Sequence, residues 1–392
     1  MKHDFDRIID RKNTLCIKHD PAARGMPADV LPLWVADMDF AAPPCVVDAL
    51  VERSRHGIFG YSNINGEYFD ILRDWFLRRH GWRVEREWLL LTPGVVNAVY
   101  LAVRALTAPG DGVIVMQPVY YPFAASVRDT GRKLVVSELA IGADGRYEAD
   151  MADFEAKIAE NGVKAFILCS PHNPGGRVWT RGELKRMGDI CLRHGVTVIA
   201  DEIHQDIVFG GRRHAVFADV DPAFASIAVT CTAPSKTFNL AGLQLSNIFA
   251  ADGGLRRRLE AECRSAGMSQ PGVMGIVSCM AAYAGGEEWL AELLAYLDGN
   301  ISFLEGALGK LAPRVRLMRP EGTYLAWLDF RGLGMSAGQL DSFVANRAKL
   351  WLNSGYTFGE SGTGFMRLNA ACPRSILEEA ADRLCAAVAE QG

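Results

Sequence analysis

Short apolar runs recur through the first two thirds of the chain, separated by polar or helix-like stretches. GVIVM (112–116), KLVVSEL (133–139), KAFILC (164–169), VTVIA (196–200), SIAVTC (226–231) and SNIFA (246–250) are nearly continuous rather than alternating. Such runs predict strands covered on both faces. A helix is predicted from Thr180, whose hydroxyl can cap the first turn while Glu183 reaches back in a T-x-x-E box. Leu184, Met187, Ile190 and Cys191 then share one face, and Gly195 ends the helix. Strands alternating with such helices predict an α/β fold, a mainly parallel central sheet flanked by helices, with its ligand site beyond the carboxyl ends of the strands.

From about Gly286 to Leu311 the pattern becomes one long helix, followed by a strand-like YLAWLDF and a capped C-terminal helix. A chain of 392 residues exceeds what one core usually serves, roughly 250 to 300 residues. The expected division is a large domain over 46–285 and a smaller α+β domain built from 1–45 and 286–392.

Composition narrows the function classes. With 49% hydrophobic and 22% charged residues the chain reads as a packed globule. A net charge of −4 and no run of five or more basic residues give nucleic acid or an anionic membrane nothing to bind. The start, MKHDFDRIID, lacks the apolar stretch of a signal peptide, and no later stretch reaches the roughly 18 apolar residues of a membrane span. A cytoplasmic protein is expected. The nine cysteines are scattered without a CxxC pair, so buried reduced thiols are expected rather than disulfides or a metal site.

Three segments at predicted strand ends are rich in polar residues: SPHNPGG (170–176), DEIHQD (201–206) and TAPSKTFNLAG (232–242). Singly, Lys236 reads as a solvated amine, Asp201 as a helix cap and Asn173 as a turn residue. Delivered together to one rim, an amine can form a Schiff base, a carboxylate can pair with a pyridinium nitrogen and an amide can bind a phenolate oxygen. The three together point to pyridoxal phosphate (PLP).

Over nearly its whole length the chain resembles the fold-type I PLP enzymes of the aspartate aminotransferase superfamily. The resemblance assigns Lys236 the catalytic, cofactor-bearing role, Asp201 the ring nitrogen and Asn173 the 3′ oxygen. In TPGVVNA (92–98) it gives Gly94, Val95 and Val96 a phosphate role at a helix start. Tyr120 of QPVYYPF corresponds to the ring-stacking aromatic, and Arg367 of FMRLNAA to the arginine that grips the substrate carboxylate, beside Asn173 and Tyr120. Tyr61 of GIFGYSN resembles the tyrosine lent to the neighbouring subunit's phosphate, which implies a homodimer. Ala233 and Gln244 stand where a serine and an arginine are usual, so Ser235 and Thr232 are nominated for the phosphate. His204, also placed at the cofactor, replaces the usual tyrosine.

LPLWVADMDF, FGYS, TPGVV, DEIHQD and APSKTFNLAGLQ resemble one branch in particular, the cystathionine β-lyase-like carbon–sulfur lyases of the MalY/PatB type. That resemblance implies α,β-elimination: Lys236 takes the Cα proton of L-cystathionine or a related S-substituted cysteine, and thiol, pyruvate and ammonia result. An aminotransferase uses the same carbanion and is the alternative. A non-catalytic binding protein is a third reading, opposed by the intact Lys236, Asp201 and Arg367.

Overall fold

All six apolar runs form strands in the computed structural model, which describes residues 2–268 and 270–391. With two further strands they make one sheet: β1 Leu89–Thr92, β2 Gly112–Gln117, β3 Lys133–Ile141, β4 Tyr147–Ala149, β5 Val163–Cys169, β6 Thr197–Asp201, β7 Ala228–Thr232 and β8 Ser246–Phe249. The spatial order is β1-β8-β7-β6-β5-β2-β3-β4. From β7 to β3 all neighbours are parallel. β8 runs against both β7 and β1, and β4 runs against β3.

Successive side chains on a strand point to opposite faces, so a run apolar at every position requires a cover on each side. Ile114, Met116, Phe166, Leu168, Val198 and Ala200 pack on one face with Phe154, Leu184 and Met187. Val113, Val115, Ala165, Ile167, Ile199 and Val229 pack on the other with Val99, Ala102, Val103 and Leu106 of α1, Val95–Leu106. Each fully buried Val, Leu or Ile contributes about 1.5–3 kcal/mol relative to exposure. α2, Arg181–His194, shows both bonds of the Thr180–Glu183 capping box, and Gly195 closes it at φ 63°.

The long helix is α3, Glu287–Gly309. A second, wholly antiparallel sheet follows, made of β9 Arg316–Met318, β10 Leu325–Asp329, β11 Asn353–Ser354 and β12 Phe365–Asn369 in the order β9-β10-β12-β11. The final helix, α4 Arg374–Ala389, lacks the side-chain cap expected of it. Pro373, fixed at φ −51°, leads the chain into its first turn instead. Leu293, Leu297 and Ile301 of α3 and Leu377 of α4 share a core with Leu325 and Met366 of the second sheet and with Phe5, Leu33 and Phe40. Asn239, in the loop after β7, donates to the Met38 and Phe40 carbonyls at 2.9 Å, which brings the N-terminal segment to the large sheet as well.

The nine cysteines are free, five of them buried and four half-buried. Among the described residues no helix is long and apolar enough to cross a membrane, and no cluster of three or more His, Cys, Asp or Glu could hold a metal ion.

Candidate active site

β2, β5, β6 and β7 share one direction, so their carboxyl ends form a common rim. The register sets Cys169 of β5 level with Asp201, and Asp201 level with Cys231 of β7. The segments that follow therefore start at the same height. Tyr120 lies just past β2, Asn173 just past β5, Asp201 at the end of β6 and Lys236 on the turn of helix after β7. The Tyr120 N–H donates to the Asn173 carbonyl at 3.0 Å, joining two of these loops.

Tyr120, Asn173, Asp201, His204, Ser235 and Lys236 line a cavity of about 180 Å³, with Gly94, Val95 and Val96 at its side. The first N–H groups of a helix have no partner within it and carry the positive end of its dipole, so the start of α1 offers the cavity an anion seat. Gly94 sits at φ 96°, a conformation L side chains rarely adopt. A Cβ there would also lie 3.4 Å from Gln244 Oε1.

Two groups in the cavity are electrostatically uncomfortable. Asp201 is almost wholly buried; its Oδ1 accepts from the Ile203 N–H at 3.1 Å, and among the described residues it pairs with no cationic side chain. Burial pushes its carboxyl up to about 7, against the smaller opposing pull of that N–H and of Lys236. Lys236 borders the open cavity, but its amine sits deep among protein atoms. Desolvation, with repulsion from Arg367, brings it down to about 8 despite Asp37 and Asp201. Among the described residues its one hydrogen bond is to the neutral Ala36 carbonyl, at 2.6 Å.

Arg367, on β12, is buried just behind Asn173. Its Nη1 donates to Asn173 Oδ1 at 3.1 Å and its Nη2 to the Trp34 carbonyl at 2.9 Å, while Nε is buried without a partner among the described residues. His204 Nδ1 is likewise buried and unpartnered, and burial holds that imidazole well below its ordinary range, hence neutral.

Three nominated residues do not line the cavity: Thr232, Tyr61 and Arg367, the last of which lies behind Asn173. Thr232 is fully buried within β7 and its hydroxyl donates to the Asn247 carbonyl at 2.9 Å, so it is not available to a phosphate. Tyr61 does not line the cavity; it is fully exposed, beside a surface hollow bordered by Phe59, Ser62 and Leu243. The sequence reading gave no role to Ala36, which lines the cavity, or to Tyr324, whose hydroxyl donates to the Ala36 carbonyl at 2.9 Å. A backbone carbonyl leaves no side-chain signature. The only hint was its place in the distinctive LPLWVADMDF segment.

A family model for aminotransferase class I and II matches residues 28–384. The chain belongs to that family. This class I and II aminotransferase-family protein is 42% identical over 387 residues to cystathionine beta-lyase PatB from Bacillus subtilis, covering 98% of this chain and 100% of the relative. It superposes with a TM-score of 0.96 on cystalysin from Treponema denticola, whose structure contains a pyridoxal 5′-phosphate cofactor; the two are 36% identical and each is covered completely. The PLP-bound C-S lyase from Staphylococcus hominis superposes with a TM-score of 0.92 at 31% identity over 98% of both chains.

Proposed function

We propose that this protein is a PLP-dependent carbon–sulfur β-lyase that cleaves L-cystathionine or a related S-substituted cysteine, with one water, into a thiol, pyruvate and ammonia. The observation that carries the reading is the meeting of a buried, cation-free Asp201 and a desolvated Lys236 amine in one cavity beside the start of a helix. A protonated ring nitrogen is the cation that Asp201 lacks, so the cavity fits PLP.

Asp201 would hold that ring proton, Asn173 and neutral His204 would serve the ring oxygen, and Tyr120 would pack on the ring face. Gly94, Val95 and Val96, with Ser235, would hold the phosphate. Bound PLP supplies a sink for the electron pair left at Cα when its proton is removed. Arg367, whose buried Nε has no partner among the described residues, would bind the substrate α-carboxylate from behind Asn173, which would orient Cα toward Lys236. The Lys236 amine, largely unprotonated only when its pKa is brought near the working pH, takes the Cα proton. The Cβ–S bond then breaks with its electron pair leaving on sulfur, and Lys236 returns a proton to the thiolate. Water converts the released three-carbon enamine to pyruvate and ammonia.

Elimination is favoured over transamination by full-length likeness to relatives named cystathionine beta-lyase and C-S lyase. The fully exposed Tyr61 supports a homodimer in which it reaches the neighbouring site. The deciding experiment supplies cystathionine, cystine, cysteine and S-alkyl cysteines without any 2-oxo acid and follows pyruvate and thiol together. Stoichiometric release of both supports the lyase. Turnover only after a 2-oxo acid is added, with its amino acid appearing, makes the protein an aminotransferase.

A further inference from the structure

A second cavity, of about 530 Å³, shares no lining residue with the first. Its wall carries Arg146, Arg177, Arg181, Arg212 and Arg213, together with His214, and a single carboxylate, Glu321. Three of the guanidiniums converge on that carboxylate: Arg146 Nη1 at 2.6 Å, Arg177 Nε at 3.0 Å and Arg212 Nε at 3.2 Å. Carboxylates outside the wall neutralise part of the remainder, with Glu183 on Arg177 at 2.8 Å, Asp144 on Arg146 at 3.3 Å and Asp219 on Arg181 at 3.5 Å. Arg213 is exposed and pairs with no carboxylate among the described residues.

The cationic excess is accompanied by an unmet polar atom. The His214 side chain is 1% exposed; its Nε2 meets Glu202 Oε2 at 2.9 Å, while Nδ1 is buried with no partner among the described residues. Guanidinium forks match carboxylate and phosphate oxygens in pairs, and an anion gathers such groups at less cost than water does. We propose that this cavity is a second anion-binding site, for a small molecule bearing carboxylate or phosphate groups. The substrate's own carboxylate is provided for separately by Arg367.

The two cavities are ends of the same loops. His214 bonds Glu202, the residue after Asp201. His80, also in the wall, meets Asp206 at 3.0 Å, and Asp206 accepts from Thr237, the residue after Lys236, at 2.8 Å. Arg177 closes the loop that carries Asn173 through the His172 N–H, which donates to the Arg177 carbonyl at 2.8 Å.

The test is isothermal titration of the PLP-loaded enzyme, whose helix-start anion seat is then filled, with citrate and separately with inorganic phosphate at low ionic strength. Saturable binding of either anion is expected, weakened about tenfold or more in R212Q/R213Q through loss of two charge-assisted contacts. Pyruvate formation in anion-free buffer should stay at the wild-type rate in that variant. Citrate binding alone assigns the site to carboxylates, and phosphate binding alone to phosphates. No saturable binding of either, or equal binding by R212Q/R213Q, overturns the proposal. Should that variant not fold, Arg181→Gln at the exposed start of α2 puts the same question.

Discussion

The Lys236 amine donates to the carbonyl of Ala36 at 2.6 Å, and the Tyr324 hydroxyl shares that oxygen at 2.9 Å. The strap around Ala36 is held by its backbone: Arg367 binds the Trp34 carbonyl, Asn369 the Val35 carbonyl at 2.6 Å and Asn239 the Met38 carbonyl at 2.9 Å. A carbonyl positions an ammonium without supplying the full opposing charge of a carboxylate. The amine is thus oriented while its proton stays loosely held.

Capture of PLP by cofactor-free enzyme should follow from this. Only the neutral amine attacks an aldehyde, so the uptake rate should rise with pH and level off above about 8, the value to which burial lowers Lys236. Stopped-flow absorbance between pH 6.5 and 9.5 reads the profile. A rate still climbing steeply between pH 9 and 9.5, with no plateau, would show the amine to be an ordinary lysine.

Asp201 should cost the cofactor-free protein stability. Its carboxyl, at about 7 rather than 3.8, binds more protons folded than unfolded between those values, so the penalty is complete above pH 7 and fades as pH falls toward 3.8. Asp201→Asn removes the charge and should stabilise cofactor-free enzyme at pH 8 by about 2–4 kcal/mol, from a shift of about three pKa units at 1.36 kcal/mol each. The gain should shrink by more than half at pH 5. Urea unfolding at both pH values decides, and an Asn variant no more stable than wild type at pH 8 refutes the account.

The rim was legible in the sequence because the strands that build it are buried on both faces. FILC, TVIA and AVTC have no polar position before their last residue except Thr, so the first strongly polar residues mark the strand ends, where Asn173, Asp201 and Lys236 stand. The direction of β8 was not legible, since SNIFA is covered on both sides whichever way it runs. Thr232 failed for a related reason: a hydroxyl on the last residue of β7 looks the same whether it turns to a ligand or to the Asn247 carbonyl. The Arg and His residues of the second cavity are spread from His80 to His214, and only the fold gathers them.

Arg367→Lys tests the carboxylate grip. Lysine keeps the charge but loses the fork that holds Asn173 and Trp34 while leaving Nε open. We expect kcat/KM to fall about 10- to 100-fold, chiefly through KM, from the loss of one to two charge-assisted hydrogen bonds. The absorbance of bound PLP should remain. Unchanged kcat/KM in Arg367→Lys would detach this residue from substrate binding.

Tyr61 separates a shared site from a self-contained one. Its ring is fully exposed and outside the cavity lined by its own Lys236, so any service to a phosphate must come from Tyr61 of the partner subunit. Tyr61→Ala should weaken PLP binding about 10- to 100-fold, the loss of one hydrogen bond to a charged group. Lys236→Ala should be inactive by itself. When the two variants are unfolded together, refolded and assayed at limiting PLP, the proposed homodimer would pair one subunit of each kind in half of its copies. In such a dimer the Tyr61→Ala subunit keeps its own Lys236 and receives an intact tyrosine across the two-fold axis, so about a quarter of wild-type activity should return. Activity no greater than the sum of the two separate variants would show that Tyr61 does not cross the interface.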